Sequence, residues 1–306
     1  MFKHLTVILA FLMTLSSSVM AQDFEKGFAA AQAGDYATAL QEWKPLAEAG
    51  DGATQYNLGV MYDNGLGVLQ DDKEAVKWYR LAAEQGDAKA QFNLGNMYGN
   101  GRGVVQDYKE AVKWYRLSAE QGYASAQYNL GLMYKNGEGV VQDYKEAVKW
   151  FRLAAEQGNT DAQTNLGSRY LKGEGVPQDY KEAIKWYRLA AEQGNAFAQT
   201  NLGIMYKKGE GVPQDYKEAV KWYRLAAEQG YAMAQTNLGF MYERGQGVLQ
   251  DNATAHMWYN IGAANGNELG GTNRDNFAKQ MTPAAIEKAQ AMARECMNSG
   301  YTKCGY

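Results

Sequence analysis

Between Asp51 and Gly266 the apolar residues fall into a helical period twice in every 36 residues, and the pattern recurs six times without an insertion. In the copy from Asn195 to Gly230, Ala198, Leu202, Met205 and Tyr206 share one helical face, which predicts a first helix over Ala196 to Lys208. Ala219, Val220, Trp222, Tyr223, Ala226 and Ala227 form a second apolar stripe, with Lys217, Glu218, Lys221 and Arg224 on its wet side. Between them, Gly209 and Gly211 are free to take positive φ and Pro213 resists helix, so the chain must turn. Asp215, three residues before Glu218, predicts a capping box in which Asp replaces Ser or Thr, and Gly230 is the stop of the second helix. Each unit reads as a helical hairpin.

The markers keep strict register: closing glycines at 86, 122, 158, 194, 230 and 266, tryptophans at 78, 114, 150, 186, 222 and 258. A fixed period of this length means an array of units, each stabilised by stacking on its neighbours. The boundaries follow as 51–86, 87–122, 123–158, 159–194, 195–230 and 231–266. Gly59, Gly95, Gly131, Gly167, Gly203 and Gly239 sit in the middle of the first helices, where Gly costs about 0.5–1 kcal/mol against Ala. That cost predicts close packing against a large side chain, with the repeat's Trp as the expected neighbour. The Asn of each N-L-G is expected to be structural too, its side chain bonded to neighbouring backbone across the stack.

The combination A-x-A-Q-x-N-L-G-x-M-Y, G-x-G-V, then D-Y-K-E-A-V-K-W-Y-R-L-A-A-E-Q-G resembles the Sel-one-like repeat (SLR) family, a relative of the tetratricopeptide repeats with a longer inter-helix loop. The resemblance implies an all-α fold, a right-handed α/α superhelical solenoid, and a non-catalytic scaffold or adaptor for proteins and peptides, often in bacterial envelopes. Residues 22–50 resemble a shorter tetratricopeptide-like capping hairpin. Residues 267–306 depart from the pattern, with Thr282-Pro283 opening a helix to about Asn298 that caps the other end.

Comparing the six copies separates positions that the stack fixes from positions it leaves free. The third, sixth, tenth, thirteenth and fourteenth residues vary and fall within an arc of about 100° opposite the apolar face. This stripe is the expected recognition surface, with Tyr56, Val60, Lys89, Phe92, Asn96, Tyr128, Leu132 and Lys135 in an aromatic first half. Lys172, Phe197, Ile204, Lys207, Lys208, Phe240 and Arg244 follow in a more basic second half. Aromatic anchors beside lysines along one concave groove suit a protein or peptide ligand with apolar side chains and some acids.

Both ends of the chain add to this picture. Met1-Phe2-Lys3-His4, the apolar run from Leu5 to Leu15 and Val19-Met20-Ala21 read as a signal peptide over residues 1–21, placing the mature protein in the periplasm or outside the cell. Losing Lys3, and no acid, takes the formal charge from -3 to about -4, which gives nucleic acid and anionic membranes no foothold. After cleavage no apolar run is long enough to span a bilayer. Cys296 and Cys304 are the only cysteines and are expected to form a disulfide in the terminal cap.

No cofactor or metal site is expected. The mature chain keeps one histidine, His256, on an apolar face where a core role is expected, and no Ser lies in a G-x-S-x-G or S-x-x-K setting. Some cysteine-rich relatives of the SLR family bind or hydrolyse β-lactams, but their cysteine pair per repeat is missing here, so that activity is not carried over. Peptidoglycan is the alternative ligand.

Overall fold

The computed structural model describes residues 23–304, and the leader expected over residues 1–21 lies outside them. Every regular element among the described residues is helical. Residues 23–32 belong to α1, which pairs with α2 (Tyr36–Glu48). The six repeats then supply α3 (Gly52–Asn64) with α4 (Asp72–Glu84), α5 (Ala88–Asn100) with α6 (Tyr108–Glu120), and α7 (Ala124–Asn136) with α8 (Tyr144–Glu156). They continue as α9 (Thr160–Lys172) with α10 (Tyr180–Glu192), α11 (Ala196–Lys208) with α12 (Tyr216–Ala227), and α13 (Ala232–Arg244) with α14 (Asn252–Ala264). α15 (Glu268–Ala278) and α16 (Pro283–Asn298) follow. The chain forms a solenoid of helical hairpins divided into two compact units, one ending at Leu153 and one beginning at Ala154.

The loop inside each hairpin is held by a repeated set of bonds. Gly209 ends α11 at φ 74°, and Gly211 has φ 75°. A Cβ on Gly211 would also stand 2.7 Å from the backbone carbon of Tyr180, so the second glycine lets the loop press on the preceding repeat. The Asp215 carboxylate accepts from the amides of Lys217 and Glu218 at 2.9 and 3.1 Å, as a cap should. The reciprocal half of the expected capping box is replaced: the Asp215 N–H donates to Tyr206 O at 3.0 Å, and Glu218 pairs with Lys221 at 3.3 Å. With that amide already engaged, Glu218 has no donor to cap. The same latch closes at Asp71, Asp107, Asp143, Asp179 and Asp251.

Packing explains the mid-helix glycines, with a different neighbour from the one expected. A Cβ on Gly203 would meet the Tyr223 ring at 2.6 Å, one on Gly95 the Tyr115 ring at 2.7 Å, and one on Gly131 the Phe151 ring at 2.7 Å. The ring is the residue after the Trp, because the Trp itself faces the previous repeat. Trp114 joins Ala75, Val76, Tyr79, Ala82 and Ala83 of α4 and Ala90, Leu94 and Met97 of α5 in one core cluster. Each Trp is therefore a wedge between hairpins, and each Tyr or Phe clamps a hairpin shut.

A polar seam runs beside this apolar core. The buried Gln199 donates to Ala191 O at 3.0 Å and accepts from Gln229 at 2.8 Å, and Gln91 does the same with Ala83 O and Gln121. Each fifth-position Gln thus satisfies a carbonyl near the end of one second helix and an amide at the end of the next. In the fourth and fifth repeats the Asn of N-L-G does not bond backbone across the stack as expected: Asn165 and Asn201 donate to carbonyls of their own helices, at Asp161 and Phe197, whereas Asn129 does cross the stack, to the Asn96 side chain. Four residues back along a helix lies the nearest acceptor a short amide can reach.

At the C-terminal end α15 is an element that the sequence pattern did not announce, capped by Asn267 and carrying buried Phe277. α16 begins at the Thr282 cap as expected. Cys296 and Cys304 are joined by a disulfide, and the loop they close sets Tyr301 to accept from Asn265 at 2.8 Å. Asn265 also donates to Gln235, so the cap terminates the polar seam.

Candidate partner-binding face

The variable stripe of the first helices is partly built into the fold. In the first unit Tyr56, Phe92 and Tyr128 are half-buried, their rings 5.9–6.1 Å from Tyr79, Tyr115 and Phe151, the same rings that clamp the glycines. Phe92 also meets Tyr123 edge-on at 5.2 Å. Val60 packs on the α4–α5 core, and Leu132 and Lys135 are half-buried. Asn96 accepts from the Tyr115 hydroxyl at 2.7 Å and from Asn129 at 3.2 Å. Burial pushes the Tyr115 phenol up to about 12.

The sixth position is not free in the second unit. Thr164, Thr200 and Thr236 are buried and return their hydroxyls to carbonyls four residues back, at 2.8–3.1 Å. A small residue there lets the helices close up, so variation at this position tracks packing as well as surface.

Lys172 and Phe197 are exposed in that unit, and Ile204 packs on the core. Lys207 is half-buried with its Nζ 4.0 Å from the centre of the half-buried Phe240 ring, which the Arg244 guanidinium also approaches at 5.7 Å. Burial, and then the neighbouring Lys208, lower the Lys207 pKa. Lys208 pairs with Glu210 at 3.4 Å, and Arg244 with Glu243 at 3.3 Å.

The first unit also holds a cavity of about 420 Å³ on the first-helix side. Its lining brings Tyr56 and Lys89 together with Phe24 and Phe28 of α1, Asn57 of α3, the cap residue Asp87 and Tyr123 at the start of α7. The stripe had not included Phe24, Phe28, Asn57 or Tyr123. Tyr123 carried a readable signal: it takes the cap position that Asp51, Asp87, Asn159 and Asn195 fill in other repeats, and makes no capping bond.

Among the described residues, no group of three or more His, Cys, Asp or Glu is placed to hold a metal ion, and no helix is long and apolar enough to cross a membrane. His256 is buried in the core of the last repeat. Its Nδ1 has no hydrogen-bond partner among the described residues, so it is less satisfied than a core histidine usually is.

The family model of the Sel1 repeat matches residues 52–87, 88–123, 124–159, 160–195, 196–231 and 232–267, one residue later than the closing-glycine register. A Sel1 repeat protein from Oxalobacter formigenes has a similar crystal structure, with TM-score 0.69 and 36% identity, covering 78% of this chain and 96% of that one. So has c5321, a protective antigen present in uropathogenic Escherichia coli strains and displaying an SLR fold, with TM-score 0.63, 31% identity and coverage of 92% and 70%. No curated protein matches the chain. Six matched repeats and a relative of known structure at this identity establish that the chain belongs to the Sel1 repeat family, whose members are generally non-catalytic scaffolds for protein interaction.

Proposed function

We propose that this protein is an exported, periplasmic or secreted scaffold that holds a protein or peptide against its first-helix face. The observation that carries the reading is the cavity over α1, α3 and α5. Exposed Phe28, half-buried Tyr56 and Tyr123, and the neighbouring Asp87 and Lys89 surround a space suited to a large apolar side chain beside a polar group. Aromatic rings grouped around a recess are where binding energy concentrates in protein interfaces. The pattern of residues 1–21 supports export, and the Cys296–Cys304 disulfide fits an oxidising compartment.

The test uses residues 22–306 and the variant Phe28→Ser/Lys89→Glu, two exposed sites whose change spares the core. A protein captured from envelope extract by the native chain is purified, and its direct affinity for both chains is measured after circular dichroism shows equal helicity. Binding that is lost in the variant supports the reading. Equal binding moves the site off this face, and retention of isolated peptidoglycan with no protein ligand replaces the reading with a wall-associated role.

A further inference from the structure

In four repeats the hydroxyl of the clamping tyrosine reaches across to the first-helix stripe and finds an acceptor there. Tyr79 donates to Asp63 at 3.1 Å, Tyr115 to Asn96 at 2.7 Å, and Tyr259 to Glu243 at 2.6 Å, while Tyr187 shares a 2.9 Å bond with Ser168. These partners occupy only the tenth or thirteenth position of the repeat. The third repeat has Phe151 in place of Tyr and correspondingly an apolar Leu132 at its tenth position.

The fifth repeat breaks the pairing. Tyr223 keeps its hydroxyl and is fully buried, yet the oxygen has no hydrogen-bond partner among the described residues. Ile204 stands at the tenth position and Lys207 at the thirteenth, where the first and last repeats carry Asp63 and Glu243. At the position that accepts from the clamping tyrosine in those two repeats, an acid has been exchanged for a cation.

The carboxylates nearby are already engaged by other groups. Lys207 is half-buried without a carboxylate, although Lys208 has Glu210 and Arg244 reaches Glu243 through Nε. Lys207 and Arg244 both lie against the Phe240 ring, so two like charges are held close, and of the two only Arg244 has a carboxylate partner, Glu243, among the described residues. Leaving a buried donor unpaired and crowding cations are both costs, and one ligand group removes both: a carboxylate, which accepts from O–H and N–H alike.

Resting on the proposed first-helix face as the binding surface, we infer that the fifth repeat is a carboxylate-binding subsite for an acidic peptide, with Lys207 and Tyr223 as donors, Arg244 as a second cation and Phe240 as the platform. The ligand's carboxylate takes the place that Glu243 holds in the last repeat and Asp63 in the first. In the bound state the Lys207 ammonium leaves the Phe240 ring and closes on the carboxylate as its ion partner.

The probes are three acetylated pentapeptides: Ala-Leu-Glu-Leu-Ala amide, its Gln counterpart, and the Gln peptide with a free C-terminus. Binding is followed by NMR of side-chain-labelled lysine, with Lys207→Met identifying the Lys207 signal. The Glu peptide should shift Lys207 and bind about tenfold more tightly than the amidated Gln peptide. A stronger response to the free C-terminus than to Glu would assign the subsite to a chain end, still a carboxylate. Tyr223→Phe should weaken the Glu peptide while leaving the free protein as stable as before or more so, since it deletes an unpaired polar atom. Lys207→Glu should abolish binding and raise stability by giving Tyr223 an internal acceptor. Equal affinity for the Glu and amidated Gln peptides, no shift at Lys207 with any peptide, or unchanged binding in Tyr223→Phe would each overturn the subsite. The scaffold reading is judged separately, at Phe28 and Lys89 in the other unit.

Discussion

Two glycines four residues apart on α5 make a sharp test of the packing argument. Replacing a mid-helix Gly by Ala ordinarily stabilises by about 0.5–1 kcal/mol, because the unfolded chain loses freedom. At Gly99, in the last turn of α5, a Cβ would lie 3.6 Å from the Tyr115 hydroxyl oxygen and 3.7 Å from Ala111 Cβ, ordinary contact distances, so Gly99→Ala should show at least part of that gain. At Gly95 the same atom would stand 2.7 Å from two carbons of the Tyr115 ring. That ring is buried and cannot swing away, and overpacking of this kind costs about 1–3 kcal/mol. Gly95→Ala should therefore come out up to about 2 kcal/mol destabilised, with the two variants separated by about 1–3 kcal/mol. Urea unfolding followed by circular dichroism gives the midpoints. Hydrogen exchange of the α5 and α6 amides reports the local effect, which matters because arrays need not unfold in two states. Adding Tyr115→Ala should show favourable coupling with Gly95→Ala, as the new methyl enters the space left by the ring. If both alanines stabilise equally, the clamp is not what keeps Gly in this position.

Three further outcomes follow from buried polar groups. Arg169 is buried where five repeats carry Met and pairs with Glu174; Arg169→Met should be neutral or stabilising, and Glu174→Gln destabilising by about 2–3 kcal/mol since Glu174 is partly exposed, with the reverse order in urea midpoints refuting the assignment. Gln199→Leu removes one donor from Ala191 O, which keeps Gly194 N–H, and one acceptor from the Gln229 amide, which keeps Leu225 O, and should cost about 0.5–1.5 kcal/mol, with lost exchange protection at the junction of α10 and α11; unchanged protection there would show that the seam is dispensable. His256 has its pKa lowered by burial first and by Arg274 next, with Asp275 opposing. Its folded pKa is therefore below the unfolded value, so stability is complete above about pH 6.5 and falls as the pH drops through the folded value. His256→Val, which restores the residue of other repeats, should flatten that acid slope, and parallel stability curves from pH 7 to 5 for the two proteins would contradict it.

The sequence by itself determined the repeat, its hairpin, the helix bounds of the fifth copy and the Asp caps, because these rest on local chemistry. Periodicity, a stop at Gly209 and a short acid before a helix act within a few residues and need no neighbour to be read. It did not determine which large ring meets Gly203, since Trp222 and Tyr223 are adjacent and only the direction of packing between hairpins assigns one to the previous repeat and the other to the clamp. The same limit applied to the stripe. Variation marked Tyr56 and Thr200 alike, yet one helps line a cavity and the other is sealed in the helix interface. α15 escaped notice because its Gly270-Gly271 pair reads as a break, while Asn267 and Phe277 hold the helix through a cap and a tertiary contact with Tyr259. Tertiary structure alone decided that Tyr223 is left without an acceptor, because a hydrogen bond between the second helix and the first depends on two side chains that are 16 or 19 residues apart in the chain and adjacent only in the folded hairpin.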